Sequence, residues 1–389
     1  MREDWEYKTF GEIGTFLRGK NIQKADFVSG GLPCIHYGQI HTKFDISIDY
    51  HLSEIPQEVY DKAIIASPGD VIIAITSEDI DGSCKSVVWL GNYDIAVSAH
   101  AAILKHNMNG KFIAYYLRSN TFFTQKLKYA RGFKVMEIKT KDLAKLVLPI
   151  PPKPTQLSIV SELDKINELI QIKKEQLKDY DALAQSIFYE MFGDPVENEK
   201  GWEVKTFGDC FSIGAGGTPS TKVKEYWDNG TIPWIGSNMC QNCIITETDG
   251  KFITEEGLNH SSTKLLSPGT VLVALVGATI GKVGLLRIET CTNQNVAFIK
   301  VQEAETFTSE FVYYHLMGLY GEFMKIGQGN FKMANQGFIK LLPISCPPLS
   351  LQQSFAHKIE QIERQKAEVQ KTITDLETLL AARMQYWFD

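Results

Sequence analysis

Two short motifs in the second half of the chain contain residues that could carry out chemistry. Gly277 to Lys282 superficially matches a phosphate-binding loop, but only three residues separate its glycines, and Val283 stands where Ser or Thr would bind magnesium. Cys240 and Cys243 form a lone Cys-x-x-Cys without a second pair at zinc-finger spacing. A zinc site is the alternative interpretation, and a loop with incidental thiols is the one that the spacing favours.

Other catalytic signatures are missing or weak. The tetrapeptides Asn-Pro-Pro-Tyr and Asp-Pro-Pro-Tyr, with which amino-methyltransferases hold their target amino group, do not occur in the sequence. Glu137-Ile138-Lys139 could be the end of a nuclease motif, but most such triplets are solvated charges on helices. We therefore predict that this chain has no catalytic residue, no metal site and no cofactor of its own.

Side chains that could read nucleic-acid bases give a stronger signal. Arg and Lys pair with guanine edges and Asn and Gln with adenine edges. In the first half, the candidates in or near turns are Arg18, Lys20, His36, Tyr37, Gln39, His41 and Lys43. In the second half they are mostly amides: Asn238, Gln241, Asn242, Asn293, Gln294, Asn295, Asn330, Asn335 and Gln336. For each residue alone, loop solvation or turn capping is the competing interpretation.

A basic stretch in the first half could follow a phosphate backbone. Its cations exceed its two carboxylates, Glu137 and Asp142, by five, and they are Lys126, Lys128, Arg131, Lys134, Lys139, Lys141 and Lys145. A solvated helix face explains the same pattern equally well.

The elements that position these residues occur twice. Three matching segments, offset by 197, 200 and 199 residues, pair 5–11 with 202–208, 66–72 with 266–272, and 112–117 with 311–316. Within this repeat, His36 to Gln39 aligns with Ile235 to Asn238. Solenoid units are far shorter, so the pattern indicates one duplicated module. Each copy opens with about 150 residues of short β-branched and aromatic runs broken by Gly, Pro, Asn and Asp, which predicts a β-rich domain with one or two helices.

Each copy ends in a helical tail that follows a proline-rich junction, and Ser350 to Gln353 has the form of a capping box at the start of the second tail. Apolar residues spaced alternately by four and three predict a coiled-coil seam. The seam consists of Ile159, Leu163, Ile166, Ile170, Leu177, Tyr180 and Ile187 in the first tail, and Ile359, Ile362, Val369, Ile373, Leu376 and Leu380 in the second. Each helix would be about 55 Å long. A helix packed on a separate globular core is the alternative.

The order of these segments predicts an α+β protein in which two β-rich domains are joined by two long antiparallel helices, with pseudo-twofold symmetry. The expected boundaries are 1–152 and 194–348 for the domains, and 153–193 and 349–389 for the helices. Two similar but non-identical domains suit a ligand with two similar but non-identical sites, such as half-sites on duplex DNA.

Composition is globular, with 44% hydrophobic and 22% charged residues, and the net charge of −6 argues at first against a nucleic-acid binder. Four of the six negative charges fall in residues 151–200, around the first predicted helix. The first residues are acidic where a secretory signal would be basic, and seven cysteines form a sparse, odd set. We expect a soluble, cytoplasmic protein without a membrane span.

The order of segments resembles the DNA specificity subunit of type I restriction–modification systems. The phrases that carry the resemblance are Gly216-Gly217-Thr218-Pro219-Ser220, Ile232 to Ser237, Leu266 to Gly269, Gly277 to Gly284, Asn293-Gln294-Asn295, and Pro347-Pro348-Leu349 with Gln352-Gln353. The first copy departs from the pattern, with Arg18-Gly19-Lys20 and Ser77 to Gly82 at the corresponding places. In this family each domain reads a different sequence, so such divergence is expected.

The resemblance implies a non-catalytic subunit in which each domain reads one half of an asymmetric bipartite DNA site and the helices set the spacer. It implies two methyltransferase subunits that carry S-adenosylmethionine, together with motor-nuclease subunits. The predicted DNA-binding set also includes residues in or near the matching phrases, namely Thr218, Ser220, Lys222, Ser237, Thr279 and Lys282. It is completed by Lys134 from the basic stretch and by Lys332 from the corresponding stretch of the second half. The alternative function is a coiled-coil scaffold whose two β-rich heads bind protein or glycan.

Overall fold

The computed structural model describes residues 5–132, 135–325 and 334–389. The chain divides into two compact units. The first unit comprises residues up to Lys174 together with Lys371–Asp389, and the second comprises Glu175–Gln370. The first unit is therefore built from two stretches of chain that are distant in sequence.

A mixed five-stranded sheet forms the centre of the first unit. Its strands, in spatial order, are Gly14–Arg18, Ala101–His106, Val71–Ala74, Ser86–Trp89 and Ser47–Ile48. All four residues of Val71–Ala74 are buried, as expected for a strand covered on both faces. The turn before this strand is fixed by Asp70, whose carboxylate accepts from the Ser67 N–H at 2.6 Å.

Smaller sheets and short helices surround this sheet. A four-stranded sheet has the order Ser53–Ile55, Leu32–Ile35, Ile95–Val97, Ile64–Ala66. Two-stranded ribbons pair Glu6–Thr9 with Val147–Ile150, and Thr76–Ser77 with Met136–Glu137. The helices are Phe10–Ile13, Tyr37–Thr42, Gln57–Tyr60, Gly110–Tyr116, Asn120–Lys126 and Thr140–Leu143, with a 3-10 turn at Lys24–Asp26.

The second unit repeats this topology. Its five-stranded sheet has the order Ser212–Ala215, Val296–Lys300, Val271–Ala274, Val283–Leu286, Cys243–Ile245. Its other sheet contains Phe252–Ile253, Ile232–Ile235 and Cys291–Thr292, and its ribbon pairs Val204–Thr206 with Pro343–Ser345. Its short helices are Phe207–Cys210, Glu255–Asn259, Ser309–Gly318, Tyr320–Lys325 and Gln336–Leu341, and its 3-10 turns are Lys224–Tyr226, Ser237–Met239, Gly277–Thr279 and Val301–Glu303. The predicted duplication of a β-rich module is confirmed.

Two helices of 40 residues each, Lys153–Phe192 and Leu349–Phe388, confirm the predicted long helices. The second begins at Leu349, so Ser350 lies inside it and the predicted capping box is wrong. Instead, the buried side chain of Gln352 donates to the Pro347 carbonyl at 2.9 Å at the start of this helix. Gln156 makes the same hydrogen bond to the Pro151 carbonyl at the start of the first helix.

The helices pair antiparallel within each unit. In the first unit Glu162 binds Arg383, and Lys174 donates to Glu377 at 2.8 Å. In the second unit Asp181 binds Lys366, and Phe188 packs on Phe355 with ring centroids 5.6 Å apart. As the residue number rises along the first helix, the number of the contacting residue in the second helix falls, so the two helices are antiparallel.

Most seam residues predicted from the heptads are buried, and the rest are half-buried. The buried ones are Ile159, Leu163, Ile166, Ile170, Ile359, Ile362, Val369 and Ile373, and the half-buried ones are Leu177, Tyr180, Ile187, Leu376 and Leu380. Phe188 and Phe192, which the heptads did not include, are also buried, in the core of the second unit. No helix among the described residues has the length and apolarity that a bilayer crossing requires.

Candidate nucleic-acid interface

A glycine follows the first strand of the five-stranded sheet at the same place in both units, Gly19 in the first and Gly216 in the second, beside many of the candidate residues. The Gly19 N–H donates to Ala101 at 2.9 Å, and the Gly216 N–H donates to Val296 at 3.1 Å. A Cβ at Gly19 would lie 2.1 Å from the Ser98 carbonyl oxygen, so only glycine allows this approach. In both units the glycine therefore lies against the start of a central strand.

Arg18 and Lys20 flank Gly19 in the first unit, and both are exposed. Arg18 pairs with the Glu137 carboxylate at 3.2 Å. Glu137 lies on a short strand, so its Glu-x-Lys triplet does not form the helical charge pattern that the sequence suggested. Lys20 bonds through its backbone to Val97 at 3.2 Å.

Aromatic side chains form a cluster in the first unit. The Tyr37 ring lies 4.7 Å from His36, 5.1 Å from His100 and 6.3 Å from His41. The His36 Nδ1 accepts from the Gly38 N–H at 3.2 Å, which caps the helix Tyr37–Thr42. Burial, followed by the nearby Lys24 and His100, lowers the pKa of His36, so the neutral ring is favoured.

An open cleft of about 690 Å³ adjoins these rings. Its polar lining consists of Tyr37, His41, Thr42, Thr76, Ser77, Glu78, Asp79, Asp81, Lys85 and His100. His41 is fixed in it through a 3.0 Å hydrogen bond to the Thr76 carbonyl. The cleft offers hydrogen-bond donors and acceptors on one surface, as base reading requires.

Gln39 and Lys43 have different surroundings. The Gln39 amide oxygen accepts from the His36 N–H at 2.9 Å, and its nitrogen donates to Ser53 at 2.8 Å. Gln39 thus holds the start of the helix in place, which matches the turn-capping alternative. Lys43 is exposed at the end of the same helix.

The predicted basic stripe is partly wrong because Lys126 is buried. Its ammonium donates to the carbonyls of Ser83 at 2.7 Å and Asp81 at 3.3 Å, and burial lowers its pKa. The remaining described cations of the stripe are exposed: Lys128, Arg131, Lys139, Lys141 and Lys145. Three further candidates, Lys134, Asn330 and Lys332, lie outside the described residues.

In the second unit an amide cluster takes the place of the aromatic rings. Thr218 donates to the Gln294 side chain at 2.5 Å, and the Asn293 side chain accepts from the Asn295 N–H at 3.0 Å. A Cβ at Gly236 would lie 2.6 Å from the Asn238 Oδ1 and 3.3 Å from the Asn293 Nδ2. The structure thus brings Thr218, Asn238, Asn293, Gln294 and Asn295 together, with Ser237 following Gly236 in a 3-10 turn.

Lys282 belongs to a neighbouring polar group. Its ammonium donates to the Gln241 side chain at 2.7 Å, and Gln241 donates to the Asn238 carbonyl at 3.2 Å. Asn242 adopts a left-handed backbone conformation, and its side chain accepts from the Val283 N–H at 3.0 Å. Thr279 lies in the loop before Lys282 and bonds to its own turn, at the Val276 carbonyl.

The other candidates of the second unit lie on separate turns. Ser220 and Lys222 are exposed on the loop before Lys224–Tyr226. Asn335 caps the helix Gln336–Leu341 by accepting from the Phe338 N–H at 2.9 Å, which again matches the capping alternative. Gln336 is the first residue of that helix.

Strand register corrects one alignment within the repeat. The strands Leu32–Ile35 and Ile232–Ile235 occupy equivalent places in the two units, and each ends in an isoleucine. His36 therefore corresponds to Gly236 and not to Ile235. Sequence comparison also overlooked Lys85 and His100, which line the cleft of the first unit. The signal for His100 was present, because a shift of 195 residues places it on Asn295.

The fold and these two polar surfaces define a duplicated module whose copies share the strand order of the five-stranded sheet and differ in their polar side chains. A family model described as "Type I restriction modification DNA specificity domain" matches residues 2–179 and again 199–378. The chain belongs to this family.

Known relatives agree with this assignment. The EcoR124I/EcoR124II specificity subunit of Escherichia coli is 27% identical over 219 residues, which cover 54% of this chain and 52% of that relative. The MjaIX specificity subunit of Methanocaldococcus jannaschii is 29% identical over 194 residues, 49% of this chain and 44% of the relative. The chain therefore spans about half the length of these curated relatives.

Solved structures share the fold over nearly the whole chain. The S subunit of a type I restriction–modification system from M. genitalium has a TM-score of 0.54 at 14% identity, covering 99% of this chain and 96% of that one. A chain described under complex assembly and conformational transition of the type I R-M system has a TM-score of 0.59 at 17% identity, with coverages of 99% and 97%.

Proposed function

We propose that this chain is the sequence-specific DNA-recognition subunit of a type I restriction–modification complex. The observation that carries the proposal is the repeated backbone contact of Gly19 and Gly216: both units place polar side chains beside it, but the first presents cations and aromatic rings and the second amides. Family membership supports DNA as the ligand. Each unit would read one half of an asymmetric site on double-stranded DNA, and the scaffold alternative has no comparable support.

Catalysis would belong to partners. We propose two methyltransferase subunits, which bind S-adenosylmethionine and modify adenine, and motor-nuclease subunits for restriction. The acidic segment 151–200 would face protein partners and not phosphate, because carboxylates repel the DNA backbone. The working boundaries are 1–152 and 194–348 for recognition and 153–193 and 349–389 for the spacer helices, in a cytoplasmic complex.

Mapping of methylated adenines tests the recognition role. The full chain is produced together with a type I methyltransferase subunit, and the methylated motif is read from the host genome. Replacing residues 5–152 with the matching domain of a relative should change one half of the motif and leave the other half intact. The proposal fails if the motif is unaltered after this exchange and after exchange of residues 194–348.

A length change tests the spacer role. Seven residues are inserted in each long helix, between Lys174 and Glu175 and between Gln370 and Lys371, so that the heptad face is kept. Each insertion lengthens its helix by about 10 Å, near three base-pair steps. The spacer of the motif should lengthen while both halves stay unchanged; an unchanged spacer would show that the helices do not set it.

A further inference from the structure

We propose that Lys85 and His100 are base-contacting residues of the first unit, at the backbone positions that Lys282 and Asn295 occupy in the second. The inference rests on the proposed function and adds two residues to the recognition surface. It follows from backbone hydrogen bonds that are equivalent in the two units.

The segment Ser98–His100 corresponds to Asn293–Asn295. Four backbone hydrogen bonds of the first unit have a match in the second unit, and together they establish the register. In the first unit the N–H groups of Ser98, Ala101, Ile75 and Lys20 donate to the carbonyls of Ile35, Ser98, His100 and Val97, respectively. In the second unit, in the same order, the N–H groups of Asn293, Val296, Leu275 and Gly217 donate to the carbonyls of Ile235, Asn293, Asn295 and Thr292. The distances within each pair agree within 0.4 Å, and they run from 2.8 to 3.4 Å. His100 therefore occupies the place of Asn295, within the amide cluster of the second unit.

His100 has a backbone conformation that folding alone does not favour. Its φ is +68°, a left-handed value that residues other than glycine rarely adopt. Its side chain is exposed and lies beside Tyr37, so burial of the ring does not compensate for the strain. Strain of this kind is typical of functional sites, where the direction of a side chain matters more than local stability.

Lys85 corresponds to Lys282 through a second set of backbone contacts. The Ala74 N–H donates to Lys85 at 2.8 Å and the Ala274 N–H to Lys282 at 2.9 Å. The preceding residue is left-handed in both units, Cys84 at +66° and Gly281 at +74°. The match was hidden in the sequence because the loop before Cys84 is three residues longer than the loop before Gly281.

The two lysines also have similar partners. Lys85 donates to the His41 carbonyl at 2.8 Å, and Lys282 donates to the Gln241 side chain at 2.7 Å. These partners are neutral oxygens, so they orient each ammonium without cancelling its charge. Burial, followed by the Arg118 guanidinium, lowers the pKa of Lys85, so an arriving acceptor would relieve an unfavourable environment.

The longer loop of the first unit indicates which part of DNA meets Lys85. Its carboxylates Glu78, Asp79 and Asp81 line the same cleft and would repel phosphate. Carboxylates accept hydrogen bonds from cytosine amino groups, and lysine donates to guanine O6 and N7. The cleft therefore suits base edges, and Lys85 and His100 supply the donors within it.

Methylation mapping of variants in the full chain tests this inference. Lys85→Gln and His100→Asn should relax the same half of the methylated motif and weaken cognate duplex binding about 10- to 100-fold. Lys282→Gln should relax the other half. Lys8→Gln and Lys205→Gln are matched controls, because both lysines are exposed on the ribbons, where they pair with Glu6 and Glu203, and both should retain the parent motif.

A glycine variant separates contact from folding. His100→Gly removes the left-handed strain, so its melting temperature should equal or exceed that of the parent while its motif relaxes. A purely structural His100 would leave the motif unchanged in this variant, which overturns the inference for this residue, and a folded Lys85→Gln with the parent motif overturns it for Lys85. His100→Gly decides alone if Lys85→Gln does not fold. Absence of any motif in the parent would instead contradict the proposed function.

Discussion

A buried histidine should make the second unit sensitive to acid. His315, on the helix Ser309–Gly318, is 1% exposed. Its Nε2 is 3.0 Å from the Pro343 carbonyl, which can only accept, so this nitrogen carries the proton. Its Nδ1 is 3.4 Å from the Ser345 hydroxyl. Burial lowers the pKa of His315 to about 4.

The sign and size of the effect follow from this pKa. The unfolded chain binds the proton near pH 6.5, so between pH 6.5 and 4 it holds more protons than the folded chain. The free energy of unfolding therefore has its full value above pH 6.5 and decreases as the pH falls towards 4. The expected loss between pH 7 and pH 5 is about 2 kcal/mol in the free energy of unfolding.

The first unit offers a natural comparison. At the equivalent position Tyr116 donates to the Val147 carbonyl at 2.6 Å, and Val147 begins its ribbon strand as Pro343 begins the other. Burial raises the pKa of Tyr116, so this contact does not titrate between pH 5 and 7. In His315→Gln, an amide N–H replaces the imidazole donor without a titrating group.

Urea unfolding at pH 7 and pH 5, with each unit followed by hydrogen exchange of its helix, measures the effect. The helix Ser309–Gly318 should lose about 2 kcal/mol of protection through His315, and His315→Gln should abolish that loss while leaving the change in Gly110–Tyr116 as it is in the parent. Equal losses in the parent and in His315→Gln would refute the reasoning, since another group would then carry the pH dependence.

Four further substitutions test packing, backbone geometry and one ion pair. Phe188→Ala should destabilise the second unit by about 3–5 kcal/mol in urea unfolding, because it removes a buried ring from an aromatic cluster. Gly216→Ala should cost at least about 1–3 kcal/mol, since its Cβ would lie 2.1 Å from a carbonyl oxygen, while Gly321→Ala, with open space on an exposed helix, should be neutral or stabilising by thermal melting. Asp45→Ala should lower the free energy of unfolding by about 1 kcal/mol at pH 7, because it removes the ion pair with Arg118. Burial raises the pKa of Asp45, but Arg118 and the other partners of this carboxylate outweigh burial, so the net pKa is lowered. The cost of the substitution should therefore shrink below pH 3.8, as the carboxylate becomes protonated.

The sequence was sufficient to predict the elements that follow from periodicity. Ile159, Leu163, Ile166 and Ile170 recur at heptad spacing and are buried as expected. The pattern fails near the end of the first helix, where Phe188 is buried and Ile187 only half-buried. A straight helix has 3.6 residues per turn, so its buried face drifts away from a strict seven-residue repeat. Near the end of the first helix, the buried face is the one that packs in the aromatic core of the second unit, and it includes Phe188.

The candidate site was harder to predict because equivalent positions of the two units carry unlike side chains. His100 and Asn295 share a hydrogen-bond register but no chemistry that a sequence comparison recognises. Capping roles were equally invisible: Gln39 and Asn335 have the right chemistry to read bases, but their side chains hold helix starts. Only the fold distinguishes an amide that faces solvent from one that closes a turn.

The divided first unit has a consequence for biosynthesis. Phe388 packs on Phe112 and Tyr116, and Asp389 accepts from the Thr121 N–H at 2.9 Å, so the core of this unit includes residues made long after its sheets. The ribosome must synthesise all of Glu175–Gln370 before that core can close. The second unit is continuous and can fold as it emerges, so the half translated first is the half completed last.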